Sequence, residues 1–314
     1  MCNFPAPQKN CGCQRPCVGF IWEAEHVFLP LLIGGLANGG VYGLVALGLV
    51  WLHRSYGVMN FAQGEMALFV TFLAFFLLQL GWPMGGAIVA ALAAAALLGW
   101  VVERGLLRPF AGSSPLSLVI VTMGLLMVLN GLSSGIWGTL PQRFPPAFSG
   151  PPVRLASWPV QRQDLLILGV LVLSVLVLFG FLFFTKFGLA SRAAVQNPWM
   201  ARLLGVSINK VYGASWALSA VLATLASILF APKTVLTTSM MMFVIVKGFT
   251  AGVLGGFNSL PGAILGGMFL GVTENLVAFY VSTQWKDSLA LGLIVLVLLV
   301  RPEGLLGRKE ARRV

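Results

Sequence analysis

The chain is built from apolar runs long enough to cross a lipid bilayer. A helix rises 1.5 Å per residue, so about 20 apolar residues span the hydrocarbon. Runs of this kind cover Leu29–Leu52, Phe61–Leu80, Met84–Val102, Ser117–Trp137, Leu165–Phe184, Val211–Phe230, Met240–Leu254, Gly262–Val281 and Leu289–Val300. The seventh and ninth are short, which makes them tilted, longer than the run itself, or re-entrant. The sequence therefore predicts eight or nine transmembrane helices, in runs too long for barrel strands. Composition agrees, with 58% hydrophobic and only 9% charged residues where a soluble domain carries about 25%. So little charge cannot cover a water-facing surface, which excludes a soluble enzyme, a nucleic-acid binder and a disordered tail. The expected fold class is all-α and polytopic, in contact with membrane lipid.

The formal charge of +11 reads as cytoplasmic loops and lipid headgroups rather than a nucleic-acid partner. Lys186–Lys210 carries Lys186, Arg192, Arg202 and Lys210 with no acid, and Arg301–Val314 is also basic. Both belong in the cytoplasm by the positive-inside rule. Four spans separate them, an even number, so the two assignments agree. With nine spans the N-terminus lies outside, and the basic residues divide as twelve inside, seven outside and Lys247 within a span. Arg143, Arg154 and Arg162 in the outer loop Pro141–Asp164 work against this bias. That loop holds six prolines, which stiffen the chain into either a platform for an external partner or an idle connector.

Residues 1–28 form an N-terminal tail, expected to be flexible, that holds Cys2, Cys11, Cys13 and Cys17. The spacing fits no standard metal-ligand pattern, so no metal site is expected. The segment lacks the apolar core of a signal peptide.

Charges inside spans are costly and face a cavity or a partner. Glu65, Lys247 and Glu274 are the instances here, with Asn38, Asn60, Gln63, Thr122, Asn130, Thr250 and Asn275 around them. They line a polar translocation path, or they are structural: Glu274 could pair with Lys247, and amides join helices. Small residues four apart let helix backbones approach closely. Gly248, Gly252 and Gly256 show this spacing, as do Gly262 and Gly266, Gly267 and Gly271, and Gly39 and Gly43. No GxxxxGK[ST] loop occurs, so the chain carries no Walker-type ATP site. Two histidines without HExxH and two aspartates leave no nucleophile, base or metal set for an intramembrane enzyme.

Several segments taken in order resemble one family. They read LANGGVYGLVALGL over 36–49, MNFAQGE over 59–65, GLASRAA over 188–194 and ARLLGVSI over 201–208. KGFTAGVLGG over 247–256, LPGA over 260–263, GVTE over 271–274, WKD over 285–287 and RPEGLLG over 301–307 follow. From about Pro30 to Val314 the chain resembles the LivH-type permease of branched-chain amino acid ABC importers. Gln63 stands where many relatives carry His, and Phe257-Asn258 stand where they carry a small or aliphatic residue and then glycine.

The resemblance implies a non-catalytic permease subunit, multi-pass in a bacterial cytoplasmic (inner) membrane. Residues 29–300 would be the membrane domain and 301–314 a basic cytoplasmic tail. Implied partners are a second related permease, two cytoplasmic ATPases that use ATP and Mg²⁺, and an extracytoplasmic substrate-binding protein; the chain itself would bind no cofactor. Within 186–210, the stretch carrying Arg192, Ala193, Ala194, Asn197, Ala201, Arg202 and Gly205 matches the segment that couples to an ATPase. Asn60, Gln63, Glu65, Thr250, Glu274 and Asn275 are the candidates for the path, worked by alternating access. Gly248, Gly252, Gly256, Gly262 and Gly266 are the candidates for helix packing. The rival reading is a self-sufficient channel or secondary transporter for a small polar solute such as urea or an amide.

Overall fold

The computed structural model describes residues 18–110, 113–147, 150–155, 158–301, 304 and 306–307. The four cysteines and most of the C-terminal tail lie outside the described residues. Among the described residues, nine apolar helices stand where the sequence predicts them: α1 (Val18–Tyr56), α2 (Gln63–Gln79), α3 (Met84–Val102), α4 (Pro115–Trp137), α5 (Arg162–Phe184), α8 (Ile208–Phe230), α9 (Met240–Gly255), α10 (Leu260–Tyr280) and α11 (Trp285–Val300). Two short helices, α6 (Lys186–Gln196) and α7 (Pro198–Leu203), separate α5 from α8. Six of the nine are long and apolar enough to cross a membrane; α2, α9 and α11 are shorter.

Local chemistry sets the boundaries. Ser114 caps α4, Thr185 caps α6, Asn197 caps α7 and Ser259 caps α10, each accepting a first-turn backbone N–H that would otherwise lack a partner. Proline follows in the first turn of α4, α7 and α10, where its missing N–H costs nothing. Three features depart from the apolar reading. The helix α1 begins at Val18, well before the apolar run. Glu103–Leu107 continues α3 as a π-helical turn. Within the proline-rich loop, β1 (Val153–Leu155) pairs with antiparallel β2 (Trp158–Val160).

The centre of the fold is α1, whose membrane-spanning window is 83% buried. It crosses α10 at a glycine seam: a Cβ on Gly39 would come within 2.5 Å of the Gly267 carbonyl oxygen, and one on Gly271 would strike the backbone of Gly35 and Gly39. Only glycine allows this approach, and close backbone contact is what holds helices together where lipid offers no hydrophobic drive. The α9–α10 crossing uses the same device, with Gly255 facing Gly262 and Gly266 facing Ala251. Gly248 lies against Val45 and Gly252 against Phe257 and Val50. Gly256 has another place: it follows the end of α9, with φ of 92°.

Contacts between loops separate the two ends of the molecule. At one end Arg108 reaches the Asn209 carbonyl, the His53 ring meets Phe257 at 5.5 Å, and the Leu306 N–H donates to the Gly255 carbonyl. At the other end Gln142 pairs with Leu236, and Lys233 with Asp164. This alternation is the one that nine spans require. The first end holds the acid-free basic segment. At the second, Lys233 and Lys286 are both engaged in ion pairs, with Asp164 and Glu274.

Candidate functional site

The short helix α2 begins deep inside the molecule. The Tyr56 ring, at the end of α1, sits 4.6 Å from that of Tyr212, near the start of α8. Seven residues on, the Gln63 side chain accepts from the Ser219 hydroxyl, midway along α8, at 2.9 Å. Thr71 then donates to Ser227 at 2.7 Å, so α2 runs parallel to α8. The chain leaving α1 has therefore turned back and climbed about 10 Å, seven residues at 1.5 Å each, before α2 starts. Asn60 makes this turn: its Oδ1 accepts from the Ala62 N–H at 3.0 Å. Gln63 fastens the new helix, since its Nε2 donates to the Val45 carbonyl at 3.1 Å while its Oε1 takes the Ser219 hydroxyl. An amide offers both a donor and an acceptor, and this slot uses both.

Beside the start of α2 lies a cavity of about 470 Å³, within the range of about 300–1,000 Å³ typical of small-molecule sites. Phe61, Leu126, Met127, Met242 and Ile245 supply apolar walls; Glu65, Asn130, Thr238 and Ser239 supply polar ones. The Asn130 amide nitrogen donates to Glu65 Oε2 at 3.2 Å and to the Thr238 carbonyl at 2.9 Å. It thereby ties α4 to α2 and to the chain entering α9. Glu65 is in the first turn of α2, and α9 also starts at the cavity, so two helix N-termini border it. Met127 and Met242 are largely exposed at the rim, and the cavity opens on the outer face of α4 and α9.

The other candidates for the path lie elsewhere. Asn60 and Gln63 are buried in the turn and the α1–α2–α8 contact just described. Thr250 is fully buried, and its hydroxyl donates to the Val246 carbonyl of its own helix. Glu274 is held by Lys247 at 2.6 Å and Lys286 at 3.1 Å, with the Lys247 ammonium also 5.6 Å from the centre of the Tyr42 ring. Asn275 belongs to a separate polar cluster, where it donates to the Leu31 carbonyl at 3.1 Å and accepts from Asn38 at 3.4 Å. Lys233 joins this cluster, donating to Asn38 and Asp164 at 2.6 Å each. Asn130 is a site residue whose partners the sequence did not reveal; the only signal was an amide inside a span.

At the opposite end, α6 and α7 form a small separate core in which Ala194, Ala201, Ile208 and Val211 are buried and Ala193 packs alongside. Asn197 caps α7, and Gly205 turns out of it with φ of 81°. The Arg192 guanidinium lies 4.8 Å from the centre of the Phe183 ring, and Arg202 points to solvent. The alanines thus hold the two short helices together, while a different set faces outward. Trp199 is 70% exposed and Leu204 82%, with Met200 and Leu203 beside them.

Residues 31–298 match the family described as branched-chain amino acid transport system / permease component. The chain is 32% identical over 301 residues to the high-affinity branched-chain amino acid transport system permease protein LivH of Escherichia coli K12, covering 91% of this chain and 98% of that one. It is 32% identical to BraD of Pseudomonas aeruginosa, a protein of the same description, over 93% and 99%. A probable LivH of Methanocaldococcus jannaschii is 26% identical over 88% and 92%. With its apolar helices of unequal length and this kinship over nearly its full length, the chain belongs to the permease component family of the branched-chain amino acid transport systems, as a multi-pass membrane subunit of an ABC importer.

Proposed function

We propose that this permease carries branched-chain or related amino acids inward across the bacterial cytoplasmic membrane by alternating access. The observation that carries the reading is the cavity at the start of α2. It is a polar-tipped, apolar-walled space bordered by two helices that start within the fold, the arrangement transporters use at substrate sites. Its open side, rimmed by Met127 and Met242, is where a second, related permease would complete the path.

Energy would come from two cytoplasmic ATPases, which use ATP and Mg²⁺, and substrate from an extracytoplasmic binding protein. The exposed Trp199, Met200, Leu203 and Leu204 on α7 would seat one ATPase, with Arg202 adding charge and Arg192 steadying α6 through Phe183. Glu274 would act as a structural clamp, and Asn60 and Gln63 as the fastening of α2, which leaves Glu65 as the path's charged group. A self-sufficient channel or secondary transporter is not favoured by the kinship.

The test is ATP-driven uptake by the complete importer in liposomes, with Met127→Cys. A bulky thiol reagent should stop uptake in this variant and leave the parent protein working. Full uptake after complete modification would refute the path. Uptake that proceeds without nucleotide would refute the energy source.

A further inference from the structure

We infer that the Glu65 cavity is a substrate subsite of the permease itself, one that holds the ammonium group of a small aliphatic amino acid against the Glu65 carboxylate. The inference rests on the reading of this cavity as part of the path, and adds what the path recognises.

Four acidic residues are buried among the described residues: Glu65, Glu103, Asp164 and Glu274. Three have a cation from the same chain. Arg108 meets Glu103 at 2.7 Å, Lys233 meets Asp164 at 2.6 Å, and Lys247 and Lys286 meet Glu274. Glu65, only 5% exposed, receives the amide of Asn130 and no ion pair among the described residues. A buried carboxylate without a counter-charge is costly. Glu65 is also the one of the four that lines the 470 Å³ cavity. An entering cation would supply the counter-charge that the described residues do not give Glu65.

The walls narrow the class of cation. A calcium or magnesium ion takes about six or more oxygen ligands, whereas the Asn130 amide presents its nitrogen here. An ammonium donates directly to a carboxylate, and an aliphatic arm beside it would lie on Leu126, Met242 and Ile245. The carboxylate of an amino acid would face the start of α9, where the helix dipole favours negative charge. Urea and neutral amides have no charge for Glu65, so the subsite selects against them.

The test is binding of radiolabelled leucine to the purified permease–ATPase complex in nanodiscs, with the binding protein omitted. Saturable binding is expected, displaced by 3-methylbutylamine, which keeps the ammonium. 4-Methylpentanoate, which lacks it, should displace at least tenfold less well. This comparison uses the unaltered protein and is independent of any variant's folding. Glu65→Gln, checked for assembly by co-elution with the ATPase, should weaken leucine binding at least tenfold. Absence of saturable binding, equal displacement by acid and amine, or unaltered binding in the Glu65→Gln complex would each overturn the inference. Such a result together with a Met127→Cys block of uptake leaves the path standing; loss of that block removes the path as well.

Discussion

Glu65 and Glu274 are alike in sequence context and differ in surroundings. Each is an acid within an apolar run, and each is almost fully buried, at 5% and 1% exposure. The Glu274 region is closed. Its carboxylate is gripped by two lysines from α9 and α11, next to the glycine seam where α1 and α10 touch backbone to backbone. The Glu65 region is open. There α2 starts late, α9 starts nearby, and the space between them is hollow. A buried charge answered within the chain stabilises an arrangement that must not move. A buried charge left facing a cavity is available to something that passes through.

The difference can be broken most severely at Lys247. Its replacement by Ala strands part of the charge on buried Glu274, and breaking a buried pair costs about 3–5 kcal/mol. Thermal unfolding in detergent should show a large loss. Lys247→Met combined with Glu274→Leu should recover most of it, because apolar residues of similar volume often replace a buried pair at little net cost. No recovery would mean that this pair does more than hold helices.

Glu65→Gln should behave in the opposite way. Uptake per assembled complex should fall at least tenfold, about 1.4 kcal/mol or more, while the unfolding temperature stays close to that of the parent. Asn130→Ala removes the amide that positions Glu65 and ties α4 to the Thr238 carbonyl. A several-fold loss of uptake is expected, smaller than for Glu65→Gln because the carboxylate remains. The mildest change is Lys286→Ala. Its side chain is one-third exposed and Lys247 still pairs with Glu274, so a solvent-screened contribution of at most about 1 kcal/mol should be lost.

How much of this was legible in the sequence follows from what apolarity encodes. The nine runs mark where helices lie, and α3 has the boundaries read from the chain, because Trp82-Pro83 and Glu103 punctuate it. The late start of α2 was hidden, since Phe61 and Ala62 are as apolar as the helix that follows and only contacts with Ser219 reveal their depth. The seventh run is short in the sequence, and α9 is short in the structure. Partners were harder. Lys247 and Glu274 are 27 residues apart and both within spans, so the pairing was an open alternative. Lys286, Lys233 and Asp164 lie outside the nine runs, and no spacing rule joins them to their partners.

Which face of α6 and α7 is outward was also not legible. The resemblance assigns Ala193, Ala194 and Ala201 to a segment that couples to an ATPase, and small residues suit both a close external contact and a tight local core. Here Ala194 and Ala201 are in that core, and Trp199 and Leu204 are outside. The pairing of β1 with β2 was masked by prolines, which occupy edge positions without ending a two-stranded ribbon.

If Glu65 serves passage and Glu274 serves assembly, the same substitution has different effects at the two positions. The decisive experiment measures, side by side, ATP-driven leucine uptake per assembled complex for Glu65→Gln and Glu274→Gln in liposomes, with the amount of assembled complex quantified for each. A normal yield of slow complexes is expected for Glu65→Gln, and a reduced yield of complexes with near-parental turnover for Glu274→Gln. Parental turnover in Glu65→Gln, or full assembly with lost turnover in Glu274→Gln, would contradict this division of roles.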